Sequence, residues 1–278
     1  MVVVPVEITQ DLTHEAAQLA SIVSPAGLTP NAAGQLIGSL APGFVTNAAY
    51  RVMPVVRNFN DPRAIDVQTV VDLIRDPALR QAHILNLVSV AISSGFDGLF
   101  VEYRGLPLDI RDEFSDFVSE LKQAFSSNGL LLGVIVPAPE NTGGEWDTGV
   151  FDWRVIGQVT DYLQVDLGLD PLAFAPGPDQ RIEALFRWAT REVSRYKLLA
   201  GLNALSLRET RGGFVPVSYA DACPSWVMCR SPAASPRPAK SSARASTGSM
   251  RCLASRRPCK RPTSYIAIQM AAPSRKSG

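Results

Sequence analysis

Between Phe96 and Gly105 the chain reads FDGLFVEYRG, a run of β-forming residues entered through Asp-Gly and left through Arg-Gly. Alternate side chains of a strand share one face, so Phe100, Glu102 and Arg104 project together. Glu102 and Asp97 are the carboxylates of this stretch and its candidates for proton transfer. Arg104 is not a candidate, because a guanidinium keeps its protons above pH 12 and has none to donate at neutral pH. A third acid, Asp166 in YLQVDLGLD, shares a strand face with Gln164 and is expected to neutralise Arg104, since an unpaired buried charge is costly. Arg57 and Asn58 in VMPVVRNFND are the other polar groups expected beside it.

These side chains need a frame, and the pattern of the chain supplies one. Short β-branched runs recur (VVVPVE, ASIVSPAG, RVMPVVRNF, FDGLFVEY, LLLGVIVPAP, YLQVDLG and KLLAGLNA), alternating with amphipathic segments such as EFSDFVSELKQAFSSNG and QRIEALFRWATREVSRY. Phe114, Phe117, Val118, Leu121 and Phe125 fall on one face of a 3.6-residue period, and Gly129 stops that helix. Seven such strands in about 200 residues, with no glycine-rich phosphate fingerprint after the first, predict a (β/α)8 TIM-barrel-like fold. No eighth strand is recognisable where it should follow VSYADA, so the edges of the first and seventh strands are expected to be unpaired.

Composition changes abruptly there. Residues 1–221 hold all 26 acids against 16 Lys and Arg, a net of −10, whereas residues 222–278 hold 11 Lys and Arg, no acid and all four cysteines. The domain reading is therefore a barrel over 1–221 and a basic, disordered or frameshifted tail over 222–278. Cys223, Cys229, Cys252 and Cys259 lack the close spacing of a zinc knuckle, so no metal site is expected, and no motif asks for a cofactor. No apolar run approaches the roughly 20 residues of a membrane helix, and MVVVPVE lacks the basic region of an export signal.

GFDGLFVEYRG is similar to the strand-four signature D-G-x-D-x-D-x-E of glycoside hydrolase family 18, the chitinase-like and spore-cortex-lytic barrels. The resemblance runs from about Ile22 to Asp221: VMPVVRNFND looks like the third strand, DLIRDPALRQAHILNLVSVAISSGFDG like the helix before strand four, and RYKLLAGLNA like the seventh strand. With Asp97-Gly98 fixing the register, Phe100 and Glu102 stand where the family has its inner aspartates, and Arg104 stands at the position of the catalytic Glu.

The resemblance implies substrate-assisted hydrolysis, in which that Glu protonates the leaving oxygen and the 2-acetamido group of the sugar attacks the anomeric carbon. With Arg104 in its place the expectation is impaired or absent hydrolysis. Glu102 lies about 6 to 7 Å deeper, far for a displaced acid. Asp97 sits at the wrong end of the strand, and Gly168 falls about where the family has a Tyr that holds the acetamido carbonyl.

The implied ligand is an N-acetylglucosamine glycan of the chitin or peptidoglycan type, held by Arg104, Glu102, Asp166, Arg57 and Asn58, with Trp146 in ENTGGEWDTG as an aromatic platform at the rim. Two alternatives stay open: an active glycosidase with Glu102 as displaced acid, and nucleic-acid binding through the basic tail, ranked last. Trp153 and Trp188 read as core, and His83 and His14 as helix-surface residues. Localisation is left open, because the family is usually exported.

Overall fold

Each short apolar run of the sequence becomes a strand. In the computed structural model, residues 1–6, 18–40, 44, 49–168, 181–202, 206–210, 213–217 and 267–269 are described. The strands of the first part are β1 (Val2–Val6), β2 (Ile22–Pro25), β3 (Leu28–Pro30), β4 (Leu36–Gly38), β5 (Arg51–Val52), β6 (Val55–Arg57) and β7 (Gly98–Glu102). They are followed by β8 (Leu131–Pro137), β9 (Glu140–Asn141), β10 (Trp146–Asp147), β11 (Tyr162–Asp166) and β12 (Leu198–Gly201). The helices are α1 (Val67–Arg75), α2 (Pro77–Ser93), α3 (Arg111–Ser126), α4 (Trp153–Val159) and α5 (Arg181–Glu192).

The segment 66–93 is two helices and not one. Asp76 caps α2 by accepting from the N–H groups of Ala78 and Leu79, and Pro77 occupies the first turn, where its missing N–H costs nothing.

One mixed sheet runs in the order β4-β3-β6-β7-β8-β11-β12-β15-β1-β2-β5, where β15 is Ala267–Gln269. From β6 to β12 it is parallel, and helices intervene between its strands as βα units require. The place beside β12 that the sequence left without a strand is taken by β15, which pairs antiparallel with both β12 and β1. The edges expected to be unpaired are therefore paired. The signal was in the tail: Tyr265-Ile266-Ala267-Ile268-Gln269 is a lone β-forming stretch in a segment otherwise rich in Ser, Pro, Arg and Ala. The rest of the predicted tail lies outside the described residues, as do its cysteines and His14.

This sheet belongs to a unit comprising Met1–Asn203 and Tyr265–Gly278. A second unit, Ala204–Ser264, contains the antiparallel pair β13 (Ser206–Thr210) and β14 (Gly213–Val217). Among the described residues no helix is long and apolar enough to cross a membrane.

Strand alternation divides the apolar residues between two faces. Leu99, Val101 and Tyr103 join Leu132, Val134, Leu163 and Val165 in a large core against Phe114, Phe117, Leu121 and Phe125 of α3. The opposite face holds a smaller cluster of Val3, Ile22, Met53, Val55, Phe100, Ile135 and Leu199. Phe100 pairs in register with Gly133, which pairs with Tyr162, and the Phe100 and Tyr162 rings stack with centroids 6.2 Å apart. Gly133 makes room for this, since a Cβ there would stand 2.2 Å from the Phe100 ring.

His83 departs from expectation. It is a core residue, 1% exposed, with Nδ1 2.7 Å from the Gly34 carbonyl and Nε2 2.7 Å from the Tyr103 hydroxyl, and its ring stacks on Phe117. A neutral ring that donates to Gly34 and accepts from Tyr103 satisfies both contacts. Burial lowers its pKa from the ordinary histidine value and raises that of Tyr103.

Two predictions follow from this packing. Gly133→Ala should destabilise by about 1 to 3 kcal/mol, and its cost should shrink when it is made in a Phe100→Ala background, as measured by urea unfolding. Because His83 is harder to protonate folded than unfolded, its contribution is complete above about pH 6.5 and is lost as pH falls through the lower folded value. His83→Gln should therefore shrink the fall in Tm between about pH 8 and pH 5, and an unchanged fall would refute this origin.

Candidate functional site

The polar side chains gather at the C-terminal ends of β6, β7 and β11. Register places Arg57 opposite Glu102, the last pair of the β6–β7 ladder. Asp166 pairs with Pro137 on one side and Gly201 on the other, one step beyond the level of Gln164 and Ile135. Glu102 therefore lies a layer deeper than Asp166, and Arg104 spans the two layers.

Glu102, 3% exposed, has both oxygens engaged by guanidinium groups. Arg57 Nε donates to Oε2 at 2.7 Å, and Arg104 donates to Oε1 through Nε at 2.8 Å and again through Nη2. The same Nη2 donates to Asp166 Oδ2 at 2.8 Å, while Asp166 Oδ1 accepts from the Gly168 N–H at 3.0 Å. Two cations and two anions thus alternate in one chain, whose neutrality is what permits burial. Arg104 remains the most open member, its side chain 35% exposed against 18% for Asp166 and 4% for Glu102.

Asn58 fixes where Arg104 begins. It is buried, and its amide accepts from the Arg104 N–H at 2.9 Å while donating to the Arg104 carbonyl at 2.9 Å and the Asp66 carbonyl at 3.1 Å. A side-chain amide here mimics the next rung of the β6–β7 ladder after the strands have ended. Phe59, which the sequence reading passed over, lies beneath both cations, with Arg104 Cζ 4.8 Å and Arg57 Cζ 5.5 Å from its ring centroid. The adjacency R-N-F was the signal that could have found it.

The structure thus brings together Glu102, Arg104, Asp166, Arg57 and Asn58. It does not bring Asp97 to them. Asp97 precedes β7 at its other end, about 16 Å back along the strand, where Oδ2 accepts from the Val52 N–H at 2.8 Å and its backbone bridges Val52 and Leu131. The neighbouring Gly98 is required by contact, because a Cβ there would come within 1.9 Å of the Leu131 carbonyl oxygen. The Asp-Gly pair is thus a strand-entry device in this fold.

Trp146 is also elsewhere. It stacks on Trp188 of α5 with centroids 5.9 Å apart and packs against the helix-side core. Beside Glu102 a cavity of about 20 Å³ lies between Ser24, Val55, Arg57, Ile135 and Gln164, which is room for about one water. The buried Ser24 hydroxyl at this place has no hydrogen-bond partner among the described residues.

Chemically, both oxygens of Glu102 accept from guanidinium groups, and Arg104 is the member of the cluster most open at its surface. Among the described residues no group of three or more His, Cys, Asp or Glu side chains could hold a metal. A double-mutant cycle of Arg104→Met and Asp166→Leu should give a coupling of about 1 kcal/mol or more, between the values of exposed and buried pairs. A coupling near zero would mean that the bridge adds nothing to stability.

No family model matches the chain. Among curated proteins it is 22% identical over 141 residues to the "Putative sporulation-specific glycosylase YdhD" of Bacillus subtilis, a match covering 49% of this chain and 33% of that protein. Among solved structures it resembles a chitinase from Chromobacterium violaceum, with a TM-score of 0.63 and 22% identity over 80% of this chain and 74% of that one. It resembles the spore cortex-lytic enzyme SleL of Bacillus megaterium to the same TM-score, 0.63, at 16% identity over 79% of this chain and 55% of that one. The chain thus spans about a third of the curated relative's length and about half of SleL. What these likenesses establish is the fold, that of the chitinase-like glycoside hydrolases.

Proposed function

We propose that the chain binds N-acetylglucosamine-containing glycans of the chitin or peptidoglycan type through a glycoside hydrolase family 18-like barrel, and that it does not hydrolyse them. The observation that carries this reading is the engagement of both Glu102 oxygens by Arg57 and Arg104; the resemblance of GFDGLFVEYRG to the family's signature is what aligns Arg104 with the proton donor. Glycoside cleavage with a neutral leaving group needs an acid within hydrogen-bond reach of the departing oxygen. Arg104 and Asp166 are the proposed glycan-binding groups, with Arg57, Glu102 and Asn58 holding them in place.

The barrel is proposed over residues 1–221, with 222–278 as a basic tail that returns one strand, β15, to the sheet. The support is the pairing order, in which β2 leads into β3 and β5 into β6 while β15 stands between β12 and β1. The substrate class is drawn from the names of the similar proteins, a chitinase and a spore cortex-lytic enzyme.

Titration of the full chain with an N-acetylglucosamine hexamer in a calorimeter tests this. The expected trace saturates and returns to baseline, and Arg104→Ala should weaken binding by about tenfold, the cost of one charge-assisted hydrogen bond. Heat sustained in proportion to protein would instead mean a working hydrolase, with Glu102 as its displaced acid. A folded chain that gives no heat would remove the glycan reading.

A further inference from the structure

The tip of the β3–β4 hairpin, residues 31–36, lies on α2 and is built as a unit. Asn31 Oδ1 accepts from the N–H groups of Ala33 and Gln35 at 3.0 and 2.9 Å, and the Asn31 N–H donates to the Gln35 carbonyl at 2.9 Å. Of residues 32–35 only Gly34 is buried.

Two polar contacts hold this unit on the helix. His83 Nδ1 lies 2.7 Å from the Gly34 carbonyl, and Asn86 Oδ1 accepts from the Leu36 N–H at 2.8 Å. His83 and Asn86 are three residues apart and share one face of α2. The fit is close, since a Cβ on Gly34 would stand 2.9 Å from Cα and Cβ of His83. The turn therefore covers His83, and lifting it brings water to the ring. On the sheet side β3 joins β6 at one register pair, Leu28 with Val56. The hairpin base is Gly27 and Gly38, whose φ angles of 129° and 106° few other residues adopt.

Acid acts on this contact. The neutral ring donates to Gly34 and accepts from Tyr103, whereas a protonated ring donates from both nitrogens. The Tyr103 hydroxyl must then turn its own proton toward another acceptor inside the core, where the residue is buried. No counter-charge is placed to help. Residues 31–36 carry none, Tyr103 is held neutral by burial, and α3 meets the ring with Phe117. Glu120, one turn further along α3, is bound by Arg80 of α2 at 2.9 Å, so that pair is neutral. Burial lowers the pKa of His83 more than the Gly34 carbonyl raises it. A charge on the ring is relieved by hydration, and of the groups enclosing it Tyr103 and Phe117 belong to the large core, which leaves the turn as the part free to open.

We propose that the tip of the β3–β4 hairpin is an acid-released strap: protonation of His83 lifts residues 31–36 off α2 while the sheet stays folded. The strap flanks the polar cluster, because β3 borders β6 one residue before Arg57 and Tyr103 stands between Glu102 and Arg104. It does not depend on the glycan reading of that cluster.

The test is amide hydrogen exchange of the full chain, followed by NMR at pH 8 and pH 5, with each rate divided by the intrinsic rate at that pH to give an opening constant. The Leu36 opening constant is expected to rise several-fold at pH 5, with a ceiling of about thirtyfold set by an ordinary histidine in the opened form. Phe100 and Leu163, whose N–H groups donate to the Pro54 and Lys197 carbonyls within the sheet, should change by less than about twofold. In His83→Gln the rise at Leu36 should vanish. If that variant does not fold, Gly34→Ala decides: its Cβ should lift the turn, raise the Leu36 opening constant already at pH 8 and move the ring titration of His83 up toward the ordinary histidine range. The proposal is overturned if the Leu36 constant is the same at both pH values, if Phe100 and Leu163 rise with it, as whole-chain unfolding would require, or if the rise persists in His83→Gln. It is equally overturned if Gly34→Ala leaves Leu36 and His83 as they are.

Discussion

The buried carboxylate of Glu102 constrains everything around it. A lone anion at this depth would cost several kcal/mol, and an arginine beside it would cost as much if it stood alone. The chain resolves both by alternation: Arg57, Glu102, Arg104 and Asp166 neutralise one another across β6, β7 and β11. This works only in one register. A slip of one residue in β7 would turn Glu102 and Arg104 toward the helix-side core and bring Tyr103 to the ion pairs. The charge chain therefore specifies strand pairing as much as it stabilises it.

Rigidity follows from the way Arg104 is anchored. Asn58 binds its N–H and its carbonyl, Phe59 supports its guanidinium plane, and two carboxylates fix its direction. A side chain with high rotamer entropy has thus been ordered before any ligand arrives, which lowers the entropic cost of using its remaining donors.

Much of this was legible from alternation alone. The shared face of Phe100, Glu102 and Arg104, the approach of Asp166 and the βα rhythm all follow from a two-residue and a 3.6-residue period. What escaped were contacts made by residues far apart in sequence. His83 looked like a surface residue because its partners, Gly34 and Tyr103, are 49 and 20 residues away. Arg57 read as a free ligand group, although its partner Glu102 is 45 residues on. Trp146 was read as an open aromatic platform, and its stacking on Trp188, 42 residues on, was not foreseen. The break at Asp76-Pro77 also went unread, although its signal is local, since an aspartate before a proline is a ready helix start.

On the proposed reading, Arg104 does more than take the place of an acid. Substrate-assisted cleavage develops positive charge on the sugar, and a guanidinium about 4 Å away would oppose it by roughly 4 kcal/mol at an effective dielectric near 20. Asp166 and Glu102 offset part of that, yet their oxygens already point at Arg104 and Arg57, so the field reaching a sugar above them is nearly neutral. On the proposed reading the site has exchanged a proton donor and an anionic cradle for a balanced lattice of donors and acceptors. Such a lattice distinguishes little between a ground-state sugar and a cationic intermediate. Uniform recognition of that kind supports binding and gives no acceleration, because rate comes only from what the transition state gains over the substrate.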